Sequence, residues 1–109
     1  MIELASIKRV YLIGIGGIGM SGLARYFHHQ GANICGYDKT VTPLTEVMAD
    51  EGIDILYEDD ANLIPLSYQQ KDNSTLIIYT PAIPTDSKIL KYFKNQGFEI
   101  LLSFGIAGV

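Results

Sequence analysis

The chain switches repeatedly between two hydrophobic periods. Residues 7–13 form a short apolar run rich in β-branched and aromatic side chains that stops at Gly14, which predicts a strand buried on both faces. From Ile18 the period lengthens. Met20, Leu23, Ala24 and Phe27 follow the i, i+3, i+4, i+7 spacing of one helical face, and Gly31 supplies a C-terminal stop. Residues 32–37 predict a second strand. Thr42 then places a capping hydroxyl ahead of Pro43 at a first helical position, with Leu44, Val47 and Met48 as the expected apolar face and Gly52 as the end. Residues 53–57 resume as a third strand.

The acidic stretch Glu58, Asp59, Asp60 opens a polar connection that runs to Ser74, where Pro65 leaves room for a short turn of helix at most. Residues 75–80 predict a fourth strand. Asp86 or Ser87 caps a helix with Ile89, Leu90 and Phe93 inward, and Gly97 precedes a fifth strand at 98–102. Strands alternating with helices imply an α/β fold: a five-stranded parallel sheet with right-handed crossovers and helices on both faces. The expected strand order is 3-2-1-4-5. Ligands of such sheets bind beyond the carboxyl ends of the strands where the winding reverses, here between strands 1 and 4.

At 109 residues the chain has the length of one domain, so one site is sought. Its net charge of -4 lacks the basic field that a nucleic-acid backbone requires, so nucleic acid is excluded as a partner. Any phosphate must be held by local geometry. The apolar segment 10–15 is far shorter than the roughly 20 residues that span a bilayer, and no signal-type cleavage site follows it, so a soluble, cytoplasmic protein with no membrane partner is expected. The single Cys35 excludes an intrachain disulfide and reads as a small buried hydrophobe.

Gly14, Gly16 and Gly19 form a G-x-G-x-x-G pattern between a strand and a helix. The first permits a tight exit from the strand, the second lets backbone approach a diphosphate, and the third lets helix and sheet pack closely. The helix that starts here aims unpaired N–H groups and a positive dipole end at the phosphates. Asp38 follows Gly19 by 19 residues (38 less 19), near the spacing of a ribose-binding acid, although an aspartate after a strand also caps turns. Ser21 either donates to a phosphate oxygen or satisfies the helix start. Residues 80–84, with Pro81 and Pro84, form either the wall of a base pocket or a rigid turn. His28 and His29 fit C-terminal capping of the first helix better than metal binding, and residues 58–60 read as a solvated loop. A glycine turn with no ligand, in a structural or interaction module, stays open at this level.

The run Gly14-Ile15-Gly16-Gly17-Ile18-Gly19-Met20-Ser21-Gly22-Leu23-Ala24 closely resembles the opening motif of the Mur ligases of peptidoglycan synthesis, specifically those that add L-alanine to UDP-N-acetylmuramate. Gly36-Tyr37-Asp38-Lys39-Thr40 and Ile77-Ile78-Tyr79-Thr80-Pro81-Ala82-Ile83-Pro84 are similar to further segments of that family in order and spacing. The resemblance implies a Rossmann-like N-terminal domain over residues 1–103 that binds the UDP part of the sugar substrate, with residues 104–109 as a truncated tail. It places the diphosphate on Gly16, Gly17, Ile18, Gly19, Met20 and Ser21, and the uridine near Asp38, Lys39, Thr80, Ala82 and Ile83. No catalytic, cofactor or metal residue is implied here. ATP and magnesium would bind a central domain and L-alanine a third, where an acyl phosphate of the muramyl carboxylate is attacked by the alanine amine. The family's ATP loop, glycine-x-histidine-glycine-lysine-threonine, is absent from the sequence, so the fragment alone is expected to be inactive. Tyr37 stands where a serine is common, and the tail after Leu102 does not resemble the family. Gly17 with Met20 and Ser21 favours the alanine branch over murein peptide ligase. Outside the family, an NAD-binding domain of a dehydrogenase or sensor satisfies Gly14, Gly16, Gly19 and Asp38 equally.

Overall fold

The computed structural model describes residues 4–103. After a 3-10 turn at Leu4–Ser6, the elements are β1 (Arg9–Ile13), α1 (Ile18–His29), β2 (Asn33–Tyr37), α2 (Pro43–Asp50), β3 (Asp54–Leu56), 3-10 turns at Ala61–Leu63 and Leu66–Tyr68, β4 (Thr75–Tyr79), α3 (Lys88–Asn95) and β5 (Glu99–Leu102). All strand pairs are parallel and the order is β3-β2-β1-β4-β5, as the alternation of periods predicted. Tyr37 and Tyr79 both pair with Ile13, so β2, β1 and β4 end level and their following loops share one edge.

Alternation along β1 divides the core. Val10 and Leu12 join Leu23, Ala24 and Phe27 of α1 and Met48 of α2 on one face. Tyr11 and Ile13 join Ile89, Leu90 and Phe93 of α3 on the other. These four β1 residues are fully buried, as the apolar stretch from Val10 to Ile13 requires, while Arg9 at the start of the strand is half-buried. At its open end Arg9 donates to Thr75 Oγ1 at 3.0 Å, tying β1 to β4.

The strands are one to two residues shorter than the apolar runs. Ile7 lies outside β1 yet is buried, because burial extends past the last paired residue. Two further differences have local causes. Val47, expected in the core, is 47% exposed, and Thr45 is buried instead. A capping box turns Thr45 inward: its amide donates to Thr42 Oγ1 at 3.1 Å, while its own Oγ1 accepts from the Thr42 amide at 2.9 Å. The connection between β3 and β4 is short of helix but not of core. Ile64 and Tyr68 close over Cys35 and Tyr11 on the α3 face, which no α-helix of that connection covers. Burial pushes the Cys35 thiol up to about 12, which suits an inert packing residue. Residues 104–109, read from sequence as a tail, lie outside the described residues.

Gly14 makes the exit from β1 with φ of 91°, a left-handed conformation that side chains disfavour, and a Cβ there would collide with the Thr80 methyl. Gly22, by contrast, has open space around its Cβ position within α1. Gly14→Ala is therefore expected to lower stability by about 2 kcal/mol, whereas Gly22→Ala raises it by about 0.5 to 1 kcal/mol. Urea unfolding of the two variants checks the opposite signs. Among the described residues the buried Tyr11 hydroxyl has no hydrogen-bond partner, and its ring packs against Tyr68 and Phe93 at ring distances of 5.8 and 5.1 Å. Burial drives its pKa well above the usual tyrosine range. Tyr11→Phe removes an unsatisfied group at nearly constant shape and should raise stability by about 1 kcal/mol in the same assay; a loss would mean that the hydroxyl has a partner.

Candidate functional site

Beyond the level ends of β2, β1 and β4 lies a cleft of about 270 Å³. Gly14 and Gly17 form its floor. Tyr37, Asp38 and Lys39 rise from the end of β2, and Thr80, Ala82, Ile83 and Pro84 from the end of β4. Asp59, after β3, and Ser87, ahead of α3, close the remaining side. The position matches the point where the winding of the sheet reverses. A larger hollow of about 390 Å³, lined by residues such as Lys71, Asp72 and Glu99, sits at the opposite, amino-terminal end of the strands. It lacks both the helix mouths and the glycine turn, and volume alone does not make it the site.

The glycine turn is built from backbone. The Gly14 and Ile15 amides both donate to the Tyr37 carbonyl, at 2.7 and 3.0 Å, and the Gly17 amide donates to the Gly14 carbonyl at 3.0 Å. Ile15 is fully buried and anchors the turn. Gly17 is the N-cap of α1 and provides no side-chain cap, and the first turn holds no acidic residue. Met20 and Ser21 donate their amides to the Gly17 carbonyl at 3.1 and 3.2 Å. Ile18 and Gly19, the first two residues of α1, have no carbonyl behind them in the helix to receive their amides. With the dipole of a 12-residue helix behind it, this mouth favours an anion.

The structure gathers part of the residue set read from sequence. Gly17, Asp38, Lys39, Thr80, Ala82 and Ile83 line the cleft. Met20 does not: its side chain is 2% exposed and packs in the core under α1. Ser21 is buried as well. Gly16 is close by, but its amide donates to Asp38 Oδ2 at 2.9 Å, and a Cβ on Gly16 would meet that oxygen at 2.8 Å and the Thr45 methyl at 3.0 Å. The absent side chain of Gly16 thus admits Asp38 and α2, rather than opening the cleft. Asp38 also accepts from the Thr40 amide at 3.0 Å through Oδ1, the turn-capping role that its position allowed. Both oxygens retain lone pairs for a ligand.

Gly14, Tyr37, Asp59, Pro84 and Ser87 line the cleft although none of them was among the residues assigned to the ligand. Asp59, read as part of a solvated loop, accepts from Ser87 Oγ at 3.0 Å and from the amides of Lys88 and Ile89 at 3.1 and 3.0 Å. Pro84 and Ser87 extend the β4 wall, and Ser87 itself caps α3 by accepting from the Leu90 amide at 3.3 Å; Asp86 does not fill that place. Tyr37 lines the cleft together with both carboxylates. Burial, then the negative charges of Asp59 and Asp38, raise its phenol pKa. The usable signal for Asp59 was its place directly beyond a strand, at the same edge as the glycine turn.

Among the described residues no group of three or more His, Cys, Asp or Glu side chains could hold a metal ion, and no helix is long and apolar enough to cross a membrane. His28 and His29 end α1, away from the cleft lining.

Comparison with known proteins gives this geometry a family. Residues 9–103 match the family described as "Mur ligase family, catalytic domain". A UDP-N-acetylmuramate--L-alanine ligase of Porphyromonas gingivalis is 50% identical over 101 residues, covering 93% of this chain and 22% of that protein. A protein of the same name from Christiangramia forsetii is 45% identical over 109 residues, covering all of this chain and 24% of its own length. Among solved structures, the UDP-N-acetylmuramate-alanine ligase of Thermotoga maritima superimposes with a TM-score of 0.77 at 25% identity, over 89% of this chain and 21% of that one. The chain therefore spans less than a quarter of the length of these relatives. With a match across nearly all the described residues and the fold to accompany it, this chain belongs to the Mur ligase family.

Proposed function

We propose that the cleft binds the uridine diphosphate portion of UDP-N-acetylmuramate, and that the chain serves as the N-terminal, residues 1–103, substrate-binding part of a cytoplasmic ATP-dependent ligase that joins L-alanine to that substrate. The observation that carries this reading is the uncapped mouth of α1 opening on a cleft walled by the β2 and β4 loops. Names of relatives at 45 to 50% identity support the choice of ligase.

The diphosphate sits against Gly17 and the amides of Ile18 and Gly19, with Met20 and Ser21 completing the turn of helix that supplies the dipole. Gly16 contributes through the loop shape that Asp38 holds. Uracil and ribose lie between the Asp38 and Lys39 side and the Thr80, Ala82, Ile83 side, where an apolar wall faces polar atoms suited to orienting a base. Lys39, exposed at the rim, adds the cation of the lining. A cleft of about 270 Å³ is at the lower limit of small-molecule sites, near 300 Å³, so it holds the nucleotide end and leaves the muramyl group outside.

ATP and magnesium do not fit this cleft. Its glycine turn carries no lysine to follow the phosphates, and no carboxylate pair of the lining is free of backbone duties to hold an ion. They belong to another part of the ligase, as does the alanine site. This part supplies binding and orientation of the nucleotide.

Thermal unfolding of the chain with UDP-N-acetylmuramate, UDP, uridine and NAD tests the assignment. Ligand at 100 times its dissociation constant stabilises by about 2.7 kcal/mol. A rise in Tm is expected with UDP-N-acetylmuramate and UDP, a smaller one with uridine, and none with NAD at equal concentration. A shift with NAD and none with the uridine compounds would transfer the site to a dinucleotide-binding protein.

A further inference from the structure

Two helix mouths face the same cleft, and their states differ. At α3 every amide of the first turn has an acceptor. Lys88 and Ile89 donate to the two oxygens of Asp59, Leu90 to Ser87 Oγ and Lys91 to the Ser87 carbonyl. Ser87, 3% exposed, clamps the arrangement by donating its hydroxyl to Asp59 Oδ1. Asp59 comes from the far side of the sheet, 28 residues before Ser87, and lines the cleft. It is thus a resident anion on the α3 dipole. At α1, among the described residues, the N-cap Gly17 carries no side-chain cap and the first turn holds no acidic residue.

We propose that Asp59 is a specificity-determining residue that sets the polarity of the bound nucleotide: by stoppering the α3 mouth it leaves α1 as the single phosphate seat and directs the base toward the β2 and β4 walls. This rests on the diphosphate reading above. The physics is simple competition. Two open helix N-termini on one small cleft would offer a diphosphate two seats and the base two directions. A carboxylate bonded at one of them fills its donors and repels phosphate there, while its own charge is offset by the α3 amides. Asp59 is a positioning residue and does not itself touch the phosphates.

The test is amide NMR of the 15N-labelled chain titrated with inorganic pyrophosphate at constant ionic strength. In the wild type, saturable shifts are expected at Ile18 and Gly19 and none at Lys88 or Ile89. Asp59→Ala should add saturable shifts at both Lys88 and Ile89. Asp59→Asn, which keeps an acceptor for Ser87 and Ile89 but loses the oxygen facing Lys88, should add a shift at Lys88 alone, and it retains the side-chain volume should the alanine variant fail to fold. A cap with a purely structural role predicts lower Tm in both variants with no pyrophosphate response at α3. Silence at Lys88 in a folded variant, or a response there in the wild type, overturns the proposal. Silence at Ile18 and Gly19 in every version, with Lys88 responding only in the variants, instead removes the diphosphate seat at α1 and leaves the stopper in place.

Discussion

At the ligand end of the sheet, glycine backbone lies closer to neighbouring side chains than a Cβ would permit. The exit from β1 passes against Thr80 at Gly14, and two residues later the Gly16 amide meets the Asp38 carboxylate at 2.9 Å. Everything nearby is arranged around these two contacts. The first brings the β4 loop onto the floor of the cleft, and the second fastens the β2 loop and α2 to the same turn. With the Tyr37 carbonyl taking the amides of both Gly14 and Ile15, the loops of three strands are tied together by the protein's own contacts. A preformed site avoids the ordering cost that a flexible loop would incur on binding.

The electrostatics look adverse to a phosphate ligand. The chain is acidic, and two carboxylates and one lysine line the cleft. Both carboxylates, however, are tied to backbone amides: Asp38 to Gly16 and Thr40, Asp59 to Lys88 and Ile89. Their charge faces partial positive charge at close range, which reduces the field they project into the cleft. Among the described residues the α1 mouth has no side-chain cap and no acidic residue in its first turn. On the proposed reading, attraction for an anion resides at the α1 mouth, set by which helix lacks a cap rather than by where lysines and arginines lie.

The fold was legible because its signals are local and repeated. Change of hydrophobic period, a capping threonine before Pro43 and glycines at 31, 52 and 97, all with positive φ, fixed the elements and hence the strand order. Failures came where a side chain answers to something distant in sequence. Val47 has the right spacing for a buried face, yet Thr45 takes the inner position through a reciprocal bond with Thr42. Asp59 looked like one of three solvated acids because its partners are 28 to 30 residues away. Within the site, the strand-turn-helix context of Gly14 to Gly19 was readable, while the division of labour among its glycines was not. Gly16 has the spacing of a residue cleared for a ligand, yet in the fold Asp38, 22 residues on, uses the clearance.

A cleft this small, in a chain under a quarter of the length of its relatives, bears on how a ligase of this kind would use its substrate. On the proposed reading the gripped end is the nucleotide, and the carboxylate that reacts lies at the other end of the molecule, beyond the cleft mouth. Interactions with a part of the substrate that does not react lower the barrier only if they hold the reacting part in place for groups elsewhere. That requirement falls on geometry more than on affinity. A nucleotide bound tightly in either of two directions would satisfy affinity and fail orientation, because one direction points the reacting carboxylate away from the groups that must meet it. On that reading, a glycine turn held by Asp38, with one helix mouth open and the other closed by Asp59, meets the demand.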